Sequence, residues 1–306
     1  MSELHKKRGP DHRFHNIVLA TDFLESSRLA LDYAVAMAYH FGSTITIVHA
    51  FDLSYEAEEA EILWHKSSVS RTMATGRLEA FAAGVRRLGV SVNVDLREGE
   101  PCPAILKSAS EHRCDLLVIG THGIYRGVHH LVIGSNAEKI LLSTPCPTLT
   151  VGRHVMAGID LDLKLAEVLV ITDTHCENLK PLKFGLWLGN EFGVPVDIMY
   201  VRSDGEMDES AFGNRLESLL QDSPANEMAE VEPRWLSAGF HLGRIFNAQD
   251  VIRHVESPAN RLIVTGVHPM SRIERHLQGS FAFELAARAA SPLLSLPCEP
   301  SEGGES

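Results

Sequence analysis

No two cysteines in this chain stand in a C-x-x-C spacing, and no apolar run approaches the length of a membrane span. The five cysteines, Cys102, Cys114, Cys146, Cys176 and Cys298, are scattered. An odd number without a framework is the pattern of reduced thiols in a cytoplasmic protein. The first residues, MSELHKKRGPDHRFH, are basic but lack the apolar stretch of a secretory signal. Positive charge is also short: 28 Lys and Arg face 40 Asp and Glu, for a net charge of -12. Such a surface repels nucleic acid, so neither nucleic acid nor a membrane is an expected partner. Familiar catalytic signatures are missing too. There is no G-x-S-x-G elbow, no H-E-x-x-H helix and no acid–base pair exposed by spacing. His122, His129 and His130 have no acidic or thiol partner spaced to complete a metal site, and no metal is assigned.

What the chain does have is a repeat. NIVLATDF (16–23) is matched by EVLVITDT (167–174), so that Thr21-Asp22 and Thr172-Asp173 are 151 residues apart. Phe41-Gly42 and Phe192-Gly193 keep the same offset. Further on, DLLVIGTHG (115–123) is matched by RLIVTGVHP (261–269), and Gly134-Ser135 by Gly279-Ser280. The length of 306 residues also suits two domains. The segment 152–160, GRHVMAGID, loses all periodicity and reads as the linker. The expected domains are residues 12–153 and 164–298.

Within each copy, short apolar runs alternate with helical patterns. IVLAT is apolar throughout, as a strand buried on both faces must be. Residues 26–40 repeat apolar positions at helical spacing, and Gly42 supplies the stop. TITIVHAF is a second strand and residues 64–88 a second helix. VSVNVDL is a strand, AILKSASEH a helix opened by prolines, and DLLVIG a strand. A helix from Ser135 and the strand PTLTV close the unit. The order βαβαβαβαβ predicts an α/β fold: two tandem doubly wound domains, each a five-stranded parallel sheet flanked by helices. Ligands of such sheets sit beyond the carboxyl ends of the strands, where strand order reverses. Asp22, Ala50 and Gly120 all fall at strand ends.

The segment GTHGIYRGVHHLVIGS (120–135) joins a strand to a helix through glycines. Helix N-termini offer unpaired N–H groups and the positive end of a dipole, and glycine lets an anion come close to the backbone. The segment is not a Walker loop, since no Lys precedes Ser135, and it lacks the G-x-G-x-x-G spacing. Ser135-x-x-Glu138 also spells a capping box, so a purely structural role for Ser135 stays open. The acidic run YEAEEAEIL reads as a solvated helix face, as does the Arg272/Arg275 pair.

The glycine segment resembles the nucleotide loop of the universal stress protein family, Gly-x2-Gly-x9-Gly-Ser/Thr. TDF after the first strand and PCPTLTV at the last are similar to that family as well. One departure is that ten residues, not nine, separate Gly123 from Gly134. The resemblance implies ATP as ligand, with Mg²⁺ on its phosphates. By the same resemblance Ala20 and Thr21 line base and ribose, Asp22 accepts from amino or hydroxyl groups there, and Ala50 lies against the adenine. Ile119 and Gly120 touch the ribose, and Gly123, Gly134, Ser135 and Asn136 hold the phosphates. The second copy has Pro269 where the first has Gly123, which removes a donor and stiffens the turn. It is expected to be a degenerate site.

The resemblance further implies that the two halves pack as a pseudo-dimer through their last strands. Its role would be regulatory or protective in the stress response, with a homodimer or another protein as possible partner. An ATP-independent interaction scaffold and a slow ATP hydrolase are the alternatives. No residue of the loop is an evident general base, so hydrolysis would at most be slow.

Overall fold

The computed structural model describes residues 14–51, 60–121, 133–155, 161–172, 180–201, 245–246, 248–256, 260–267 and 281–298. The first copy runs β1 (Asn16–Ala20), α1 (Glu25–Phe41), β2 (Thr44–Phe51), α2 (Ala60–Arg87) and β3 (Ser91–Glu98). It continues with α3 (Pro101–Glu111), β4 (Leu116–Gly120), α4 (Ser135–Ser143) and β5 (Thr148–Val151). The second copy supplies β6 (Glu167–Thr172), α5 (Lys180–Phe192), β7 (Val196–Val201) and β8 (Ile245–Phe246). It ends with α6 (Ala248–Glu256), β9 (Arg261–Val267), α7 (Phe281–Arg288) and β10 (Leu293–Pro297). The linker expected at 152–160 is only partly covered, because 156–160 lie outside the described residues.

Ten strands form one sheet in the order β3-β2-β1-β4-β5-β10-β9-β6-β7-β8. Within each copy every pairing is parallel, and the reversal of strand order falls between β1 and β4 and again between β6 and β9. The doubly wound pair of domains predicted from the sequence is thus present, and the halves join through β5 and β10. That junction is antiparallel, with Leu149 opposite Leu294, Thr150 opposite Leu293 and Thr148 opposite Ser295. Register in the two copies makes Leu149 and Leu294 equivalent positions, so a pseudo-twofold passes between them. The Thr150 hydroxyl adds a bond to the Leu293 carbonyl at 3.1 Å.

Strands buried on both faces need no alternation of polarity. In β1, Ile17 and Leu19 pack into one core with α1, α2 and α5, while Val18 and Ala20 pack into the other with α3, α4, α6 and α7. Helix α1 stops where the sequence says it should. Gly42 takes φ 71°, a left-handed conformation that costs glycine little, and its N–H caps the Ala38 carbonyl.

Across the junction, α1 and α5 meet through an aromatic cluster. Phe14 lies 5.7 Å from Trp187 and 6.1 Å from Phe184, and Phe41 stacks on Trp187 at 5.8 Å. The repeat-equivalent rings Phe41 and Phe192 sit 5.9 Å apart, edge to face. Beside them the equivalent pair His40 and Glu191 is joined at 3.3 Å. Aromatic pairs add specific attraction to the area they bury. Truncating the buried Phe41 to Ala therefore removes contacts from both halves at once. The expected loss is about 3–5 kcal/mol of stability, read from urea unfolding. An effect below about 1 kcal/mol would show that the cluster is peripheral to the junction.

Candidate functional site

The carboxyl ends of β1 and β4 lie side by side, since Ala20 is the cross-strand neighbour of Ile119. Ala20 also pairs with Val48 of β2, and Ala50 follows two residues later, on the same face of the sheet. Ala20 and Ile119 are both buried. The strand-order reversal therefore brings three predicted residues, Ala20, Ala50 and Ile119, to one edge. Small side chains at two of these positions leave room above the strand ends.

Past β1 the chain makes a tightly bonded turn. The Thr21 N–H extends the ladder to the Val48 carbonyl at 2.9 Å. The Thr21 hydroxyl accepts the Phe23 N–H at 3.0 Å and lies 3.1 Å from the Ser27 hydroxyl. Ser27 in turn donates to the Leu24 carbonyl at 3.0 Å. Thr21 is thus turned inward, holding the turn with its side chain. Asp22 instead is exposed. Its Oδ1 accepts the Leu24 N–H at 2.9 Å, and no described residue donates to Oδ2. One carboxylate oxygen orients the group and the other faces outward.

Sequence reasoning did not find the residues beneath this turn. Phe23 takes φ 64°, a conformation that strains a bulky side chain. Packing compensates. Its ring centroid lies 4.5 Å from His49 and 5.4 Å from Phe81, and the Arg77 guanidinium sits over its face at 4.9 Å. His49 Nδ1 lies 2.7 Å from the Thr21 carbonyl, so the neutral ring carries its proton there. Burial pushes the His49 pKa below the ordinary histidine value, against the opposing pull of the Thr21 carbonyl and the Asp22 charge. TITIVHAF showed His49 only as a strand residue, with nothing local to mark its partner 28 positions away.

Glycine at 120 has a reason that spacing concealed. A Cβ there would lie 2.8 Å from the Ser26 carbonyl carbon and 2.9 Å from the Ser27 nitrogen. The first turn of α1 therefore rests directly on the end of β4. After Thr121 the chain leaves the described residues at 122–132, which include Gly123, His122, His129 and His130, and returns at Ile133. The two sides of this gap are tied together, because the Gly134 N–H donates to the Thr121 carbonyl at 2.8 Å.

Helix α4 begins just beyond that tie. The capping box suggested by Ser135 and Glu138 does not form, because Gly134 is the N-cap residue and no side chain caps the helix. Ser135 is already helical and stands exposed with Asn136. The first intrahelical bond of this end is from the Glu138 N–H to the Gly134 carbonyl at 3.0 Å. The N–H groups of Ser135, Asn136 and Ala137 precede it and have no intrahelical acceptor. In the second copy, Asp173, Pro269, Gly279, Ser280, Arg272 and Arg275 lie outside the described residues. Among the described residues, no three His, Cys, Asp or Glu side chains cluster to hold a metal. No described helix is long and apolar enough to cross a membrane.

A doubly wound sheet with an acid-bearing turn and an uncapped helix at its switch point defines a small α/β domain, here in tandem. The sequence model of the universal stress protein family matches residues 13–152 and again 166–297. This chain belongs to that family, as two copies of its domain. A universal stress protein of Methanocaldococcus jannaschii is 27% identical over 148 residues, covering 48% of this chain and 86% of the relative. One from Thermus aquaticus is 32% identical over 144 residues, covering 45% of this chain and 98% of its own. In fold, this chain is similar to the crystal structure of a universal stress protein from Archaeoglobus fulgidus, at a TM-score of 0.68 and 16% identity. That match covers 95% of this chain and 98% of the other.

Two measurements check the local account. Gly120→Ala drives a methyl into the α1 backbone and is expected to cost about 1–3 kcal/mol in urea unfolding. Gly84→Ala, where a Cβ meets nothing within 4 Å, should stabilise α2 by about 0.5–1 kcal/mol. Equal effects at the two glycines would remove the close-approach argument. For His49, a depressed pKa means that the unfolded chain binds the proton more readily. Stability is then full above the unfolded value of about 6.5 and falls as pH drops toward the folded value. An NMR titration should place the His49 ring below about 6.5, and His49→Gln should flatten that part of the stability profile. A ring titrating at or above the ordinary value would contradict this.

Proposed function

We propose that the first copy of this chain binds ATP, with Mg²⁺ on the phosphates. Occupancy would tune a regulatory or protective role of this stress-family protein in the cytoplasm. The observation that carries the reading is the pairing of two features at one switch point. The outward carboxylate of Asp22 lies at the end of β1, and the uncapped N-terminus of α4 lies beyond the tied ends of the glycine segment.

The residues fit the ligand. Ala20 and Ala50 are small enough to admit a flat base over the strand ends, and Ile119 supplies an apolar floor. The open oxygen of Asp22 suits an amino or hydroxyl donor of the nucleoside. The N–H groups of Ser135, Asn136 and Ala137, with the helix dipole, suit the phosphates. Gly134 has spent its own N–H on Thr121, so its contribution is the absence of a side chain. Mg²⁺ would keep mainly phosphate and water ligands, as that ion usually does. A ligand of this kind regulates by binding one conformation of the protein better than another.

Calorimetric titration with Mg-ATP should reveal a single site per chain. It should be lost in Gly123→Val, where a branched side chain enters the glycine segment, and kept in Gly279→Val. Asp22→Ala should weaken ATP by about 1–3 kcal/mol, the scale of one hydrogen bond to a charged group, while inorganic triphosphate binds unchanged. Binding unaffected by Gly123→Val, or two equal sites, would overturn the assignment. Hydrolysis faster than about one turnover per second would make the protein an enzyme instead.

A further inference from the structure

At the opposite edge of the same sheet, two thiols face each other. Cys114 lies in the segment that enters β4, and Cys146 in the segment that enters β5. The two strands are parallel neighbours, with Leu117 opposite Thr148. The Cys114 and Cys146 Sγ atoms are 3.8 Å apart and share a hydrogen bond. Neither sequence position announces the pair, since 31 residues intervene and no C-x-x-C spacing marks them. Cys102 and Cys298 are thiols as well, neither joined in a disulfide.

We propose that Cys114 and Cys146 form a reversible intrachain disulfide when the protein meets a hydroperoxide, making this strand pair an oxidative modification site. Cys146 is the sulfur that reacts first. The hydrogen bond shared with Cys114 outweighs burial and pulls the Cys146 thiol down to about 7. The Thr144 hydroxyl, 3.3 Å from its sulfur, helps in the same direction. Cys114 is pushed far up by the hydrogen bond it shares with Cys146 and by burial beside another sulfur. One thiolate and one thiol in contact are the pair such chemistry needs. Cys146 is 7% exposed and Cys114 half-buried.

The steps balance. The Cys146 thiolate attacks one peroxide oxygen, the O–O bond breaks, and the leaving hydroxide takes a proton to become water. Cys146 is then a sulfenic acid. The Cys114 sulfur attacks the Cys146 sulfur, forming the S–S bond and expelling hydroxide, which leaves as water with the proton from Cys114. Two thiols are oxidised and one peroxide is reduced to two waters. Side-chain rotation must close the sulfur separation from 3.8 Å to a bond of about 2.05 Å. The resulting bridge closes the chain from Cys114 to Cys146, which includes β4 and α4. It restricts the unfolded chain and so favours the folded unit.

The test uses the full chain, reduced with dithiothreitol, desalted and exposed to hydrogen peroxide, then alkylated in denaturant and mapped by mass spectrometry. A peptide linking Cys114 to Cys146 is expected, within one chain and reversed by dithiothreitol, while Cys102 and Cys298 are alkylated. With Cys114→Ser, a dimedone adduct should accumulate on Cys146. With Cys146→Ser, Cys114 should stay unmodified at the same dose. Recovery of both thiols alkylated after peroxide exposure of the wild-type chain would overturn the proposal. A bridge from either residue to another cysteine, or one that forms only in urea, would do the same.

Discussion

The antiparallel pairing of β5 with β10 is the constraint on which the rest of the molecule depends. It converts two five-stranded sheets into one of ten strands and sets Leu149 against Leu294 at its centre. Once that register holds, α1 and α5 fall on the same face, and the rings of Phe14, Phe41, Phe184, Trp187 and Phe192 meet there. A slip of one residue would turn every side chain of the junction to the wrong face. Burial on both faces makes such a slip expensive.

The same architecture separates two kinds of chemistry. Carboxyl ends of β1 and β4 carry the Asp22 turn and open toward α4, while the amino ends of β4 and β5 carry the two thiols. Strand β4 belongs to both edges. Its last residue is Gly120, beneath α1, and Cys114 precedes its first. Rigidity in that one strand is therefore felt at its carboxyl edge and at the sulfur edge alike. Below Asp22, the strained Phe23 is held by His49, Phe81 and Arg77, so the acid rests on a packed support.

Much of this could be read from the chain because its signals were local and repeated. The strand TITIVHAF coincides with Thr44–Phe51, and the helix expected from Ser135 starts at that residue. An offset of 151 residues marks the duplication. What stayed hidden depends on contact between distant segments. Gly120 reads in the sequence as part of a glycine cradle, and its missing Cβ also makes room for the backbone of Ser26 and Ser27. Ser135 spelled a capping box, yet the chain enters α4 through Gly134, and one residue of phase decides which group caps. His49 under Thr21, and Cys114 beside Cys146, are joined by the order of strands and by nothing in their neighbouring letters.

Joining the halves through β5 and β10 within one polypeptide also changes how the pair responds to dilution. Two separate chains would part as their concentration fell, and each would have to keep a seam that recognises its twin. Here the partner is always present at the high effective concentration a tether imposes. Neither half can exchange for another copy, and neither must remain self-complementary. That allows the second copy to carry Pro269 where the first carries Gly123. Covalent linkage thus allows two copies of one domain to differ permanently.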